Sequence, residues 1–161
     1  MKSTDRLTKK LRGFAKSERG TQLVELANVL PVLLVMFAAT AEFGRFFYTY
    51  TTLSKATRAG ARYLTTAPVG GADDVKAQNL VVYGNTEGTG DPLVSGLTPD
   101  QVTITREGGA AVMPEHVTVQ IEGYIYQPLF DLGAFIGSSS VSLNVSVHPS
   151  TKMRFLLTTP S

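Results

Sequence analysis

The stretch RGTQLVELANVLPVLLVMFAATAEFGRFFY, Arg19 to Tyr48, decides the fold. From Leu23 to Ala41 it is predominantly apolar, and these 19 residues, rising about 1.5 Å each, reach roughly 28 Å, close to the hydrocarbon thickness of a bilayer. One membrane span is expected. Two residues depart from a plain anchor. Pro31 removes one helix hydrogen bond, a defect that neighbouring helices or local adjustments repair inside a membrane. Glu25 sets a carboxylate into the apolar run, where a charge costs roughly 2.5 to 3.5 kcal/mol at the bilayer centre even on the lenient insertion scales. A charge placed there calls for a partner.

Upstream, MKSTDRLTKKLRGFAKSERG holds seven Lys/Arg and two Asp/Glu and almost no large apolar residue, so it reads as a basic cytoplasmic leader, residues 1–20. The rest of the chain holds eight basic against eleven acidic residues. The pI near 8.9 therefore belongs to the tail, which argues against a nucleic-acid-binding domain, whose positive charge would sit on the folded part. With no cysteine there is no disulfide framework, thiolate nucleophile or Cys-based zinc site. A length of 161 residues and 43% hydrophobic content fit one small domain with an attached segment. Seven basic residues precede the span, whereas Arg45, Lys55, Arg58 and Arg62 follow it, which orients the N-terminus to the cytoplasm and the C-terminal domain to the periplasm.

Downstream of Ala41 the helical pattern continues. Phe43, Phe46, Tyr50, Leu53, Thr57, Gly60 and Leu64 recur at steps of three and four and trace one stripe of an amphipathic helix. Lys55, Arg58 and Arg62 fall on roughly the opposite face. The pattern predicts a single helix from about Thr21 to Thr65, a transmembrane and spine segment occupying residues 21–66, ended by Ala67-Pro68-Val69-Gly70-Gly71.

Residues 67–161 read as a small α+β domain. A short helix is expected over Ala72 to Asn85 with Val75, Leu80 and Val81 inward, followed by a long loop, TEGTGDPLVSGLTPD. Three strands show the period of two: Val102 and Ile104; Val117, Val119 and Ile121; Val141, Leu143, Val145 and Val147. The first two are joined by EGGAAVMPE as a hairpin. Leu129, Phe130, Leu132, Phe135 and Ile136 predict a helical turn over the sheet, and Met153 and Phe155 an extension of the last strand past Pro149. The fold class is thus α+β, a long N-terminal helix followed by a small antiparallel sheet.

Gly20 followed five residues later by Glu25, between a basic tail and an apolar helix, is the arrangement of type IV prepilins and pseudopilins. RGTQLVELANVLPVLLVMF with EFGRFFYTYTTLSKATRAGARYL resembles the TadE-like proteins, minor pseudopilins of the tight-adherence (Flp-type) pilus; NLVVYGNTEGTGDPLVSGLT and VSLNVSVHPSTKMRF look similar too. The resemblance implies Gly20 and Thr21 as the prepilin cleavage site, Glu25 as the assembly glutamate, and the stretch from Glu42 to Arg45 as the exit from the membrane. It also implies the partners: a prepilin peptidase, other pseudopilins and the major Flp-type pilin, and the inner-membrane assembly platform. A departure is that the mature helix would begin with two polar residues, Thr21 and Gln22.

Plainer readings stand beside these. Glu42 and Arg45, three apart, can pair on the helix surface for a few tenths of a kcal/mol. Asn28 bonds within its helix or to a helical neighbour. The basic cluster Lys55, Arg58 and Arg62 reads as a solvated face meeting lipid headgroups or an acidic neighbour, with no aromatic interleaving for nucleic acid. His116 and His148 fall on the polar registers of their strands without a clustered ligand pattern, so no metal is expected. Asp73 and Asp74 open the short helix, where carboxylates favour the dipole and can cap. Glu87-Gly88-Thr89-Gly90-Asp91-Pro92 lacks the pattern of a phosphate loop. No nucleophile, base and orienter set is found, so neither catalysis nor a cofactor is expected. Two alternatives remain open. Ala39-Thr40-Ala41 resembles a secretory cleavage site that would release a periplasmic binding module, and an uncleaved single-pass anchor fits the same span.

Overall fold

The computed structural model describes residues 18–111, 113–129 and 144–156. Its first element, α1, is one continuous helix, Glu18–Leu64, with Pro31 inside it. The helix closes where Thr65 N donates to Ala61 O at 3.1 Å and Thr66 N to Tyr63 O at 3.3 Å, immediately before Ala67-Pro68. The chain divides into two compact units, Met1–Glu42 and Phe43–Ser161.

Within the second unit the inward face of α1 is Leu53, Ala56, Thr57, Gly60, Ala61 and Leu64, all buried. A second helix, α2 (Gly71–Tyr83), packs against it. Gly84, in the left-handed conformation at φ 75°, terminates α2 and returns its N–H to Leu80 O at 3.1 Å. The inward residues of α2 are Ala77, Val81 and Val82. Val75, expected inside, is 54% exposed. The reason lies in the register: Asp74, Ala77 and Val81, at steps of three and four, make the inward face, and its first-turn position is held by Asp74 paired with Arg106.

The region that reads as a long loop contains a single 3₁₀ turn, Pro99–Gln101, fixed by a reciprocal capping box in which Gln101 Oε1 accepts from Thr98 N at 3.0 Å. Leu97 ahead of it is buried in the core.

Among the described residues, five strands form two antiparallel sheets: β1 (Val102–Glu107), β2 (His116–Ile121), β3 (Tyr124–Tyr126), β4 (Val145–Val147) and β5 (Ser150–Arg154), ordered β1-β2-β5 and β3-β4. The hairpin β1–β2 is as expected, with Val102 opposite Ile121 and Ile104 opposite Val119, turning through Gly108 and Gly109 at φ 71° and 66°. On β2 alternate residues Val117, Val119 and Ile121 are fully buried.

The expected last strand is two strands. Pro149 lies between them, its carbonyl accepting from Ile121 N at 3.0 Å, and the chain changes partner there: β4 pairs with β3, β5 with β2. Val147 is buried, while Val145, two residues earlier on the same strand, is 43% exposed. Phe155 N donates to Glu115 O and Leu156 N to Thr65 O, both at 2.9 Å, tying the end of β5 to β2 and to the end of α1. The expected positions Phe130, Leu132, Phe135, Ile136, Val141 and Leu143 lie outside the described residues; Leu129 is exposed.

Candidate functional site

From Gly20 onward α1 satisfies the length and composition of a membrane span, with a mean hydropathy of 2.0 in its apolar window and none of that window buried. Leu23, Val24, Leu26, Val29, Leu30, Val32, Leu33, Leu34, Met36 and Phe37 are all exposed. Because these residues include consecutive ones, the apolar surface runs around the helix and does not form a single stripe, the pattern of a helix made for an apolar surrounding. Thr40 keeps its hydroxyl satisfied internally by donating to Met36 O at 2.9 Å.

Gly20, Thr21 and Glu25 lie on the first turns of this helix, and Thr21 and Glu25, four residues apart, share one face. Glu25 is exposed among apolar neighbours. The helix therefore holds a carboxylate one turn from the backbone nitrogen of Thr21, and cutting the chain before Thr21 would turn that nitrogen into an amine at the start of the helix.

Beyond the apolar run the first residues behave differently from one another. Glu42 is buried, at 6% exposure. Arg45 places its guanidinium 5.6 Å from the centre of the Tyr126 ring, a cation–π contact that the sequence gives no means of reading. Phe46 meets the same ring edge to face at 5.2 Å, and Phe43 stacks on Phe47 at 6.5 Å. The first four residues of the stripe thus separate. Leu53 is fully buried and Phe46 packs against the core, while Phe43 (69%) and Tyr50 (44%) face outward. Arg45, Tyr48, Thr49, Tyr124, Tyr126 and Gln127 line a groove of about 610 Å³. Tyr124 donates its hydroxyl to Ser95 O at 3.3 Å, and burial pushes its pKa up, so the phenol stays protonated as a donor.

Several charged residues elsewhere in the second unit make contacts within the fold. Asp73 accepts from Lys76 Nζ at 3.0 Å and from Tyr63 Oη at 2.9 Å, which holds its carboxyl below the usual range. The cap residue of α2 is Gly70, with no side-chain cap bond, so Asp73 and Asp74 do not cap; they reach α1 and β1 instead. Lys152 donates to Glu107 at 2.6 Å and lowers its pKa. His148 is exposed and bonds Ser146 Oγ at 2.8 Å, and His116 is half-buried on β2. Among the described residues no three His, Asp or Glu side chains gather as a metal site. The features that combine here are an uncovered apolar helix, an exposed glutamate within it, and aromatic residues facing outward beyond it.

Residues 20–62 match the TadE-like protein family. The matched stretch covers well under half of the chain and takes in the span, its glutamate and most of the remainder of α1. No curated protein and no solved structure matches the chain.

Proposed function

We propose that the chain is a minor pseudopilin of a tight-adherence pilus assembly and secretion system, cut between Gly20 and Thr21 by a prepilin peptidase and acting through helix–helix assembly, without catalysis of its own. It resides in the bacterial inner membrane as a single-pass protein with its leader in the cytoplasm and its C-terminal domain in the periplasm. The observation that carries this reading is Glu25, an exposed carboxylate in an apolar helix, one turn from Thr21, inside the TadE-like match. Removing the leader creates an amine at Thr21. The carboxylate of one subunit then pairs with the amine of its neighbour, and pairing is the condition under which a charge is tolerated in an apolar medium. Gly20 supplies a backbone that a protease approaches without meeting a side chain. Other pseudopilins, the major Flp-type pilin and the assembly platform are the partners this requires.

The test is the first residue of the protein purified from membranes of its native host. Thr21 is expected; Glu42 would mean secretory release and Met1 a retained anchor, and either result overturns the reading. Gly20→Val is expected to block the cut, and Glu25→Ala to leave the cut largely intact while reducing recovery with pilus components. Equal assembly of cleaved Glu25→Ala subunits would remove the charge-pairing role.

A further inference from the structure

We propose that the basic groove between α1 and the start of β5 is a docking site for a second copy of this chain, which enters it with the loop Glu87–Asp91. The groove, about 380 Å³, is lined by Tyr50, Ser54, Lys55, Arg58, Ser150 and Thr151. Lys55 and Arg58 are exposed, three residues apart on one helix face, and neither has an ion-pair partner among the described residues. Cations flanked by hydroxyl groups fit an acidic, hydrogen-bonding occupant.

The chain carries a complement on the other flank of the same sheet. β5 and β1 are the two edges of β1-β2-β5, and α2 sits beside β1, where Gln78 Nε2 donates to Val102 O at 3.1 Å and Asp74 pairs with Arg106. The loop after α2 presents Glu87 and Asp91, both exposed and without an ion-pair partner among the described residues. Its form is fixed by one side chain. Asn85 Oδ1 accepts from the N–H groups of Glu87 (3.1 Å), Gly88 (2.8 Å) and Thr89 (3.2 Å), and Asn85 Nδ2 donates to Thr89 O at 2.7 Å. A tip already folded loses little conformational freedom on binding, and Gly88 and Gly90 take the positive φ, 72° and 91°, that its turns require.

A cationic groove on one edge and a rigid acidic tip on the opposite flank cannot satisfy each other within one molecule. Between copies they join head to tail, a heterologous contact that repeats instead of closing on itself in a pair. The association is independent of processing at Gly20, so its test uses the uncut full-length chain in detergent, and its failure leaves the pseudopilin reading intact.

Because the chain has no cysteine, single cysteines report the contact directly. Copies carrying Ser54→Cys are mixed with copies carrying Thr89→Cys, substitutions that keep all four charges, and oxidised. A disulfide between the two unlike copies is expected, in yield far above that of either variant alone. Glu87→Lys with Asp91→Lys in the second copy should lower that yield about tenfold, and Lys55→Glu with Arg58→Glu in the first should restore it. With the native charges kept, raising salt from about 0.05 M to about 0.5 M should also lower it. Absence of the link, links only between like copies, or a yield indifferent to both charge reversal and salt overturns the proposal.

Discussion

Gly60 of α1 and Val81 of α2 meet where no side chain fits on the first helix: a methyl group at position 60 would stand 2.6 Å from Val81 Cγ2 and 3.5 Å from Ala77 O. The two helices touch through a bare backbone. Val81 is fully buried and β-branched, so it has little freedom to withdraw. Gly60→Ala gains about 1 kcal/mol of helix propensity and sets against it an overpacking cost of about 1 to 3 kcal/mol. We expect a net loss of stability, larger for Gly60→Val, with Gly60→Ala partly rescued by Val81→Ala. Thermal unfolding followed by circular dichroism in detergent checks the order of the four proteins.

Leu53 and Tyr50 lie one turn apart on the predicted stripe and should respond oppositely. Leu53 is fully buried, so Leu53→Ala is expected to cost about 2 to 5 kcal/mol in denaturant unfolding. Tyr50→Ala and Phe43→Ala remove outward-facing rings and should leave unfolding within about 0.5 kcal/mol of the parent. If they reduce recovery with pilus components at unchanged stability, the outward part of the stripe is a contact surface.

Thr57 is fully buried and donates to Ser54 O at 3.0 Å, with Thr151 Oγ1 at 3.1 Å joining α1 to β5. Thr57→Val keeps the shape and removes the hydroxyl. A loss of about 0.5 to 1.5 kcal/mol is expected, and Thr151→Val added to it should cost less than it does alone. A double-mutant cycle by urea unfolding measures the coupling.

Asp73 and Glu107 both have depressed pKa values, the first through its bonds from Lys76 and Tyr63, the second through Lys152. For a carboxylate lowered in the fold, the stabilisation is present above its unfolded pKa and is lost as pH falls through the folded one. Melting temperature should therefore fall as acid is added through and below the ordinary carboxylate range. Asp73→Asn should flatten that fall relative to the parent, while lowering the melting temperature at neutral pH.

The long helix and the β1–β2 hairpin were legible because their signals are repetitive: an apolar run with a stripe behind it, and strict alternation in Val102–Ile104 and Val117–Ile121. The strand Tyr124–Tyr126 was not, since three residues carry no periodicity and its inward tyrosines resemble loop aromatics. Nor was the break at Pro149, where partner exchange and not pattern ends the strand. On α2 a valine was expected inward where an aspartate is found, because pairing with Arg106, thirty-two residues away, makes Asp74 an acceptable neighbour to the core. Of the candidate site, Glu25 stood out as a charge inside an apolar run, whereas Gly20 and Thr21 were marked only by the resemblance to the TadE-like proteins. The Arg45–Tyr126 contact did not, as nothing local links residues so far apart in the chain.

β2 lies between β1, its hairpin neighbour, and β5, which follows both members of the other sheet in the chain. As the chain is synthesised, β2 therefore waits with one edge bare, and the backbone groups that later bind β5 remain open to any other strand. Local pieces such as the hairpin form early, whereas the closing pairing joins distant segments and is intrinsically slow. The bonds from Phe155 to Glu115 and from Leu156 to Thr65 come with that last step. Until it occurs, newly made copies are at their most prone to pair wrongly with one another, which makes the arrival of β5 the event that separates a subunit from an aggregate.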